Sequence, residues 1–276
     1  MCDYFLVSRH RRAITISSSV RRRPSSRSVG ASCAFAAVQC RRYLTRLVAV
    51  CAEADRREDS IVHRQAWIDV AGHRILLYES VADDKSTANA IATRLWRCSL
   101  GTAAWLAEQA PGFDGQSVLE VGAGTGLCSL TLAAVSTAHV ISSDLDETAV
   151  QLVRTAARQQ ALRLEGVIVL DMSRPEPLPQ ASWMIACDVM YTPELAVILA
   201  KRCAEQLARG GHVLVADPDR KPRAIFQATL DGLLGTQTKF TRLQDAPPLF
   251  GSASHAKPAL VLLLVDEHCR PPFFAG

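Results

Sequence analysis

The residues with the clearest capacity for chemistry lie in a glycine-rich turn near the middle of the chain. Residues 117–126 read Ser-Val-Leu-Glu-Val-Gly-Ala-Gly-Thr-Gly, with an acid, Glu120, directly before the glycines at 122, 124 and 126. Apolar residues precede and follow the turn, which predicts a strand, a tight turn and a helix. Such a turn holds a nucleotide-like ligand against backbone N–H groups and a helix N-terminus. Glycine suits it, because a Cβ would block the ligand and because tight turns often need a positive φ.

The spacing of the glycines narrows the class of ligand. Dinucleotide-binding turns read G-x-G-x-x-G and hold a pyrophosphate at the helix N-terminus. Here residue 127 is Leu, and the pattern is G-x-G-x-G. This favours a ligand without a pyrophosphate, for which S-adenosylmethionine is the first candidate. The alternative is a βα turn that binds nothing.

An acid at the end of the second predicted strand adds to this interpretation. Asp144 lies 18 residues after Gly126. An acid about 20 residues beyond such a turn accepts hydrogen bonds from the ribose hydroxyls of an adenosine. Asp146 is the competing acid, but it better suits the N-cap of the next helix. We therefore expect Asp144 to bind the ribose.

Three further side chains are candidates for the same ligand. Asp171 ends the third predicted strand and could accept from an adenine amine while Met172 covers the ring; alternatively, Asp171 forms a turn before Ser173. Trp96 either packs on the cofactor or lies buried in the core.

The fourth predicted strand ends in Asp188-Val-Met-Tyr191, and Thr192 and Pro193 predict the N-cap and first turn of a helix. An Asp at the end of a central strand, beside a ligand, is expected to contact substrate. A Tyr three residues later could form the wall of an apolar channel. The alternative is that the Asp forms a turn and the Tyr packs in the core.

Strands and helices must alternate to position these residues. The pattern predicts two short strands around a glycine turn within 67–78 and a helix at 93–109, followed by strands at 117–122, 139–144, 167–171, 183–190 and 212–217, helices at 126–135, 146–160, 193–208 and 220–234, and strands at 239–243 and 258–266. This alternation is typical of an α/β protein whose parallel sheet carries helices on both faces. Ligands in such folds bind beyond the carboxyl ends of the strands.

Charge is distributed unevenly along the chain. Residues 1–50 hold ten arginines and one acid, Asp3, and since the whole chain carries +4 the remainder carries −5. An acidic body gives no support for nucleic-acid binding. No segment reaches the roughly 18 apolar residues of a membrane span. We therefore expect neither partner.

The first 55 residues or so are rich in Arg and Ser and contain no Lys. This composition predicts a disordered transit peptide, with the mitochondrion as the first destination considered and the chloroplast as the second. The alternative is a basic tail without a targeting role. Residues 56–276 are then the folded domain.

The cysteines and histidines predict neither a metal site nor a hydrolase. The nine Cys form no C-x-x-C pair, and no Ser-His-Asp arrangement is visible. Cys128, Cys187 and Cys203 occur in apolar runs and are expected to be reduced core residues.

Two motifs carry a resemblance to a known family. Residues 120–126 and Asp144 resemble the first two motifs of the seven-strand S-adenosylmethionine-dependent methyltransferases. Asp188-x-x-Tyr191, with Asp217-Pro-x-Arg220 after it, resembles a protein-lysine methyltransferase group. The resemblance covers about residues 64–267. Members often have Pro after the Trp and Gly where this chain has Asp219, so Asp219 is expected to add negative charge near the substrate.

The resemblance implies a fold, a cofactor and a site. The fold would be a Rossmann-like, doubly wound, seven-stranded sheet, mostly parallel with a last antiparallel strand. S-adenosylmethionine would be held by Trp96, Glu120, Gly122, Gly124, Gly126, Asp144, Asp171 and Met172. Asp188 would orient a protein lysine and Tyr191 would line its channel, in a protein expected to be a monomer. The alternatives are a small-molecule N-methyltransferase and an inactive interaction module on the same fold.

Overall fold

The computed structural model describes the backbone of residues 52–58, 61–80, 91–246 and 260–265, and side chains from His63 onward within these ranges. Its strands are β1 (Ala52–Glu58), β2 (Ile61–Val70), β3 (His73–Ser80), β4 (Ser117–Val121), β5 (His139–Asp144), β6 (Gly166–Val169), β7 (Trp183–Cys187), β8 (His212–Asp217), β9 (Thr241–Arg242) and β10 (Leu260–Leu264). Its helices are α1 (Arg97–Glu108), α2 (Ala110–Phe113), α3 (Leu127–Val135), α4 (Glu147–Gln159), α5 (Pro193–Ala208) and α6 (Arg223–Leu234), and a 3-10 turn covers Leu243–Asp245.

Seven strands form the central sheet in the order β6-β5-β4-β7-β8-β10-β9. The strand order reverses between β4 and β7, and this makes the sheet doubly wound. Side chains alternate between its faces, so that Val118 belongs to one apolar core and its neighbour Leu119 to the other. Helices cover both faces, which confirms the predicted Rossmann-like architecture.

The direction of the last strand differs from the expectation. β10 pairs in parallel with β8, and Leu260 lies opposite Val213. It also pairs in parallel with β9. The antiparallel prediction is therefore wrong. Parallel neighbours need a crossover of about a dozen residues or more, and residues 243–259 provide that length of chain between β9 and β10.

A second, antiparallel sheet of β1, β2 and β3 precedes the central one. β2 and β3 are longer than the two short strands predicted around Gly72, and β1 begins at Ala52, inside the predicted N-terminal segment of residues 1–55. The sheet is tied to α4, because the backbone of Leu76 both donates to and accepts from the side-chain amide of Gln160, at 2.7 and 3.0 Å.

Two helix starts follow their predicted caps. The Asp146 carboxylate accepts from the backbone N–H of Ala149 at the start of α4, at 3.0 Å. The Thr192 hydroxyl accepts from the N–H of Leu195 at the start of α5, at 3.3 Å. Among the described residues, no helix has both the length and the apolar character that crossing a membrane requires.

Candidate functional site

The glycine turn joins β4 to α3 at the point where the strand order reverses. Gly122 and Gly126 have φ of +66° and +75°. A Cβ on Gly122 would lie 2.8 Å from a methyl of Val189, and one on Gly126 would lie 2.6 Å from a methyl of Val153. These two glycines are therefore required by backbone geometry and by close packing of neighbouring elements. Gly126 packs against Val153 and seats α3 against α4; it is not among the lining residues of the cavity described below, and its contact with the cofactor stays a prediction.

Asp144 lies at the centre of the site. Its Oδ2 accepts from the backbone N–H of Gly124 at 2.8 Å, and its Oδ1 accepts from that of Asp146 at 2.9 Å. Only 9% of the residue is exposed, and burial raises the pKa of its carboxyl group. Each carboxylate oxygen keeps a second lone pair, which can accept from a ligand hydroxyl.

Glu120 lies below the turn and is almost fully buried. Its Oε2 accepts from the backbone N–H of Ser129 at 2.9 Å and from the Ser129 hydroxyl. Burial raises the pKa of Glu120 to about 7, although the hydrogen bonds from Ser129 oppose this shift. Glu120 thus holds the start of α3 and also lines the cavity.

Asp171 forms a turn with Ser173, which was the alternative role predicted for it from the sequence. Its Oδ1 accepts from the Ser173 backbone N–H at 2.9 Å and from the Ser173 hydroxyl at 2.6 Å. The hydrogen bonds from Ser173 lower the pKa of Asp171. Asp171 and Met172 nevertheless both line the cavity, so the local turn and a ligand contact are compatible.

Asp188 follows β7 and is already ion-paired. Arg220 donates from Nε to Asp188 Oδ1 at 2.6 Å, and the Asp188 side chain is only 5% exposed. Burial raises the pKa of Asp188 although Arg220 opposes the shift. Asp188 has a φ of +59°, a left-handed conformation in which Asp is more common than most residues. The tight turn this creates aims its carboxylate at the site.

Arg220 is a site residue that the sequence marked only as the last residue of the Asp217-Pro-x-Arg220 motif. Its backbone N–H donates to Oδ1 of the buried Asp217 at 2.7 Å. Its guanidinium carbon lies 5.5 Å from the centroid of the Trp96 ring, within the range of a cation–π interaction. Burial raises the pKa of Asp217 to about 6. The Asp217-Pro-x-Arg220 pattern contains this signal, since Arg220 donates from its backbone to Asp217 and from its side chain to Asp188.

Two cavities meet at the predicted catalytic pair. The first, of about 370 Å³, is lined by the glycine turn together with Asp144, Asp171 and Met172. The second, of about 850 Å³, lies between the start of α1 and the turn that joins β8 to α6, and is called the mouth from here on. Four residues line both: Arg94, Trp96, Asp188 and Tyr191. The exposed side chains of Trp96 and Tyr191 thus stand at the junction, and not in the core.

The mouth carries more positive than negative charge. Its charged lining residues are Arg94, Arg97, Arg220, Lys221, Asp188 and Asp219. Both acids are paired, Asp188 with Arg220 and Asp219 with Arg223. The negative charge that Asp219 was expected to add is thus offset by Arg223. Among the described residues, no acid forms an ion pair with Arg94, Arg97 or Lys221 in the structure.

Comparison with known proteins assigns the family. The family model described as lysine methyltransferase matches residues 80–226, more than half of the chain. The chain belongs to the lysine methyltransferase family. The match spans α1, the glycine turn and the Asp188–Arg220 pair. No curated protein matches the chain.

A solved structure similar to this lysine methyltransferase family member shows the same fold. The Thermus thermophilus 16S rRNA N2 G1207 methyltransferase, in complex with AdoMet and guanosine, is 18% identical over 70% of this chain and 55% of its own, with a TM-score of 0.50. A Pyrococcus furiosus methyltransferase is 17% identical over 49% of this chain and 71% of its own, with a TM-score of 0.40. The chain spans about half the length of the first of these proteins.

The cavity fits the cofactor that a methyltransferase of this fold requires. S-adenosylmethionine carries a ribose diol, an adenine and no pyrophosphate. The cavity offers a buried carboxylate with spare lone pairs, Asp144, at the turn of Gly122 and Gly124. Its volume of about 370 Å³ lies within the range of small-ligand sites. The residues of this cavity thus fit S-adenosylmethionine, the cofactor of the protein, and Trp96, Glu120, Asp171 and Met172 are further lining residues.

Sequence reasoning missed several lining residues. Ile91, Ala92 and Arg94 come from the segment before α1, and Leu145 and Val189 follow β5 and β7. These residues are of common types and belong to no motif, so no signal in the sequence marked them. Their position at the cavity is seen only in the folded chain. Cys187, the last residue of β7, also lines it, although the sequence indicated only a core cysteine.

Proposed function

We propose that this protein transfers a methyl group from S-adenosylmethionine to a lysine side chain of a protein substrate. The observation that carries the proposal is the junction of the two cavities. A side chain entering from the mouth meets Asp188 and Tyr191 directly before it reaches the cofactor cavity. The lysine methyltransferase family assignment supports the same substrate.

The residues at the junction would position the nucleophile. The cofactor supplies an electrophilic methyl group on a sulfonium, and the main task of the protein is alignment. Asp188 Oδ1 is held by Arg220, so Oδ2 is the oxygen that faces an incoming ammonium. Tyr191, 47% exposed, forms the wall along which the aliphatic lysine stem packs.

The lysine must lose a proton before it reacts, because its ordinary pKa is about 10.4. Nearby positive charges and partial desolvation both lower the pKa of a lysine. Arg94, Arg97 and Lys221 provide positive charge in the mouth. An aspartate is too weak a base to keep the proton, so water accepts it and carries it out through the mouth.

The positive mouth also favours a substrate with acidic residues beside the target lysine. Such residues would pair with Arg97 and Lys221 while the lysine passes to Asp188. The Asp188-x-x-Tyr191 and Asp217-Pro-x-Arg220 patterns resemble those of the lysine methyltransferase of the electron-transfer flavoprotein β subunit. That subunit is accordingly the first substrate to test.

The decisive experiment labels the acceptor. The full chain is incubated with tritiated S-adenosylmethionine and, in separate reactions, the purified flavoprotein β subunit, protein extract, extracted small metabolites and ribosomal RNA. We expect label in protein, recovered as methyllysine after acid hydrolysis. Label confined to metabolites or RNA would contradict the proposal. Label in no fraction despite measurable cofactor binding would favour an interaction module.

A double charge reversal tests the proposed preference for acidic substrates separately from methyl transfer itself. Arg97→Glu combined with Lys221→Glu should raise KM for an acidic peptide substrate and leave cofactor affinity unchanged. Lys201→Glu, an exposed charge on α5 away from the mouth, is the matched control. Equal effects of the two reversals on KM would refute the role of the mouth but not the methyl transfer.

A further inference from the structure

Three buried thiols lie directly beneath the junction of the cavities, and the methyl transfer uses none of them. Cys187 ends β7, and Cys98 and Cys128 lie in the first turns of α1 and α3. The sulfurs of Cys187 and Cys98 are 3.6 Å apart. Cys187 lines the cofactor cavity and Cys98 lines the mouth. The pair is thus packed together, and each cavity reaches one of its members.

Position and hydrogen bonding both favour Cys187 as the thiol that reacts, since it contacts Cys98 and lines the cofactor cavity. Hydrogen bonds from Cys128 and Cys98 lower the pKa of Cys187. Burial raises the pKa of Cys98, and the hydrogen bond to Cys187 raises that of Cys128. A cysteine reacts with oxidants as the thiolate. The reactive sulfur is therefore the one that faces the cofactor cavity.

We propose that Cys98 and Cys187 are a modification site, oxidised by peroxide to a reversible disulfide that bound cofactor protects. The Cys187 thiolate attacks one peroxide oxygen, the O–O bond breaks, and a sulfenic acid forms with release of hydroxide, which takes up a proton as water. The Cys98 sulfur then attacks the Cys187 sulfur and displaces a second water. Two thiols are oxidised to one disulfide while one hydrogen peroxide is reduced to two waters.

The disulfide would change the site because its bond is short. An S–S bond of about 2.05 Å requires the two sulfurs to approach from their present 3.6 Å. The approach pulls the first turn of α1 towards the end of β7. Trp96 immediately precedes α1, and Asp188 immediately follows Cys187, so both junction residues move with the bridge. We expect the oxidised protein to lose cofactor affinity.

Cofactor protection follows from the route of access. Cys187 is reached through the same cavity that the glycine turn and Asp144 line. A bound S-adenosyl ligand fills that cavity and excludes peroxide. At a ligand concentration ten times its Kd, the free fraction falls about tenfold, and the oxidation rate should fall by the same factor.

The test uses the full chain, reduced and then exposed to hydrogen peroxide with and without S-adenosylhomocysteine. Peptide mass spectrometry should show a Cys98–Cys187 link within one chain that dithiothreitol reverses, formed about tenfold more slowly with the ligand at ten times its Kd. A link from Cys187 to Cys128, a link between chains, or equal rates with and without the ligand would overturn the proposal.

Two variants complete the test. Cys98→Ser should leave Cys187 as a trappable sulfenic acid, whereas Cys203→Ser, a buried cysteine in the other apolar core, should form the disulfide as the wild type does. The peptide map of the wild-type chain decides the outcome even where a variant fails to fold. Since the readout is a disulfide, its failure is distinct from a failure of lysine methylation.

Discussion

Asp144 shows how one residue links the turn to the cofactor. Its carboxylate accepts from Gly124 and Asp146 and retains lone pairs towards the cavity. We expect Asp144→Ala to weaken S-adenosylmethionine binding by about 1.5–3 kcal/mol, the scale of hydrogen bonds to a charged group. Calorimetry measures the change. Asp146→Ala is the control: it removes a helix cap and should cost stability of about 1 kcal/mol without changing affinity.

Substitutions of Asp188 and Tyr191 test separately whether methyl transfer depends on a charge or on a side-chain shape at the junction of the two cavities. Asp188→Asn keeps the size of the side chain but loses the charge that orients an ammonium, and the rate should fall at least about 100-fold. Tyr191→Phe keeps the wall and should lose much less. Single-turnover labelling of a protein substrate at saturating cofactor measures both. A near wild-type rate for Asp188→Asn would remove Asp188 from the mechanism even if cofactor binding is normal.

Glu120 makes folding depend on pH. Its pKa is raised from an ordinary value of 4.5 to about 7 by burial. The unfolded chain therefore loses this proton before the folded chain does, and stability falls as pH rises from about 4.5 to about 7, by up to roughly 3 kcal/mol. Glu120→Gln should flatten this part of the profile of urea unfolding of the cofactor-free protein. An unchanged slope would show that Glu120 ionises normally.

At the scale of elements, the close packing of α3 against α4 requires that residue 126 has no Cβ atom. A Cβ at Gly126 would overlap Val153 at 2.6 Å, and φ there is +75°. Gly126→Ala should destabilise the protein by about 2–5 kcal/mol, the sum of backbone strain and overpacking. Adding Val153→Ala should recover about 0.5–3 kcal/mol of that cost as a coupling energy in a double-mutant cycle.

Gly210→Ala is the matched control for that cycle. Gly210 has φ of +82°, but a Cβ there would meet nothing within 4 Å. Its substitution therefore measures the backbone strain alone. If Gly126→Ala cost no more than Gly210→Ala, the close packing of α3 on α4 would not be the reason for the glycine.

At the scale of the whole molecule, charge divides the chain into a basic N-terminal segment and an acidic body. We propose that the segment directs import, into the mitochondrion first and the chloroplast second, and has no catalytic role. Because β1 begins at Ala52, the truncation should remove residues 1–50 and not 1–55. The shortened chain should keep cofactor affinity and activity.

Imaging tests the targeting half of that proposal. A fluorescent protein fused behind residues 1–50 should co-localise with an organelle marker, and the same fusion with its arginines changed to glutamine should not. Diffuse fluorescence of both fusions would contradict import. Loss of activity in the shortened chain, with its fold intact, would instead show that the segment contributes to the site.

Interactions between residues close together in the chain allow the strands, helices, helix caps and cofactor turn to be predicted from the sequence. Alternating apolar segments define the strands and helices of the central sheet, since hydrophobic periodicity follows backbone geometry. The caps at Asp146 and Thr192 were predictable because a cap acts within three residues. The glycine turn and Asp144 indicated the cofactor, because their spacing reflects how a strand end meets a helix.

Only the tertiary structure decided what depends on residues far apart in the chain. The Asp188–Arg220 ion pair joins residues 32 positions apart. Position 126 requires glycine because a Cβ there would clash with Val153 on another helix. The direction of β10, parallel to β8 and β9, depends on which strands pair with it, and periodicity does not encode that pairing. The positive mouth, likewise, forms only when the segment before α1 and the turn after β8 meet beside Tyr191. Side-chain types specify local structure, whereas charge pairing and close packing depend on neighbours that folding alone brings together.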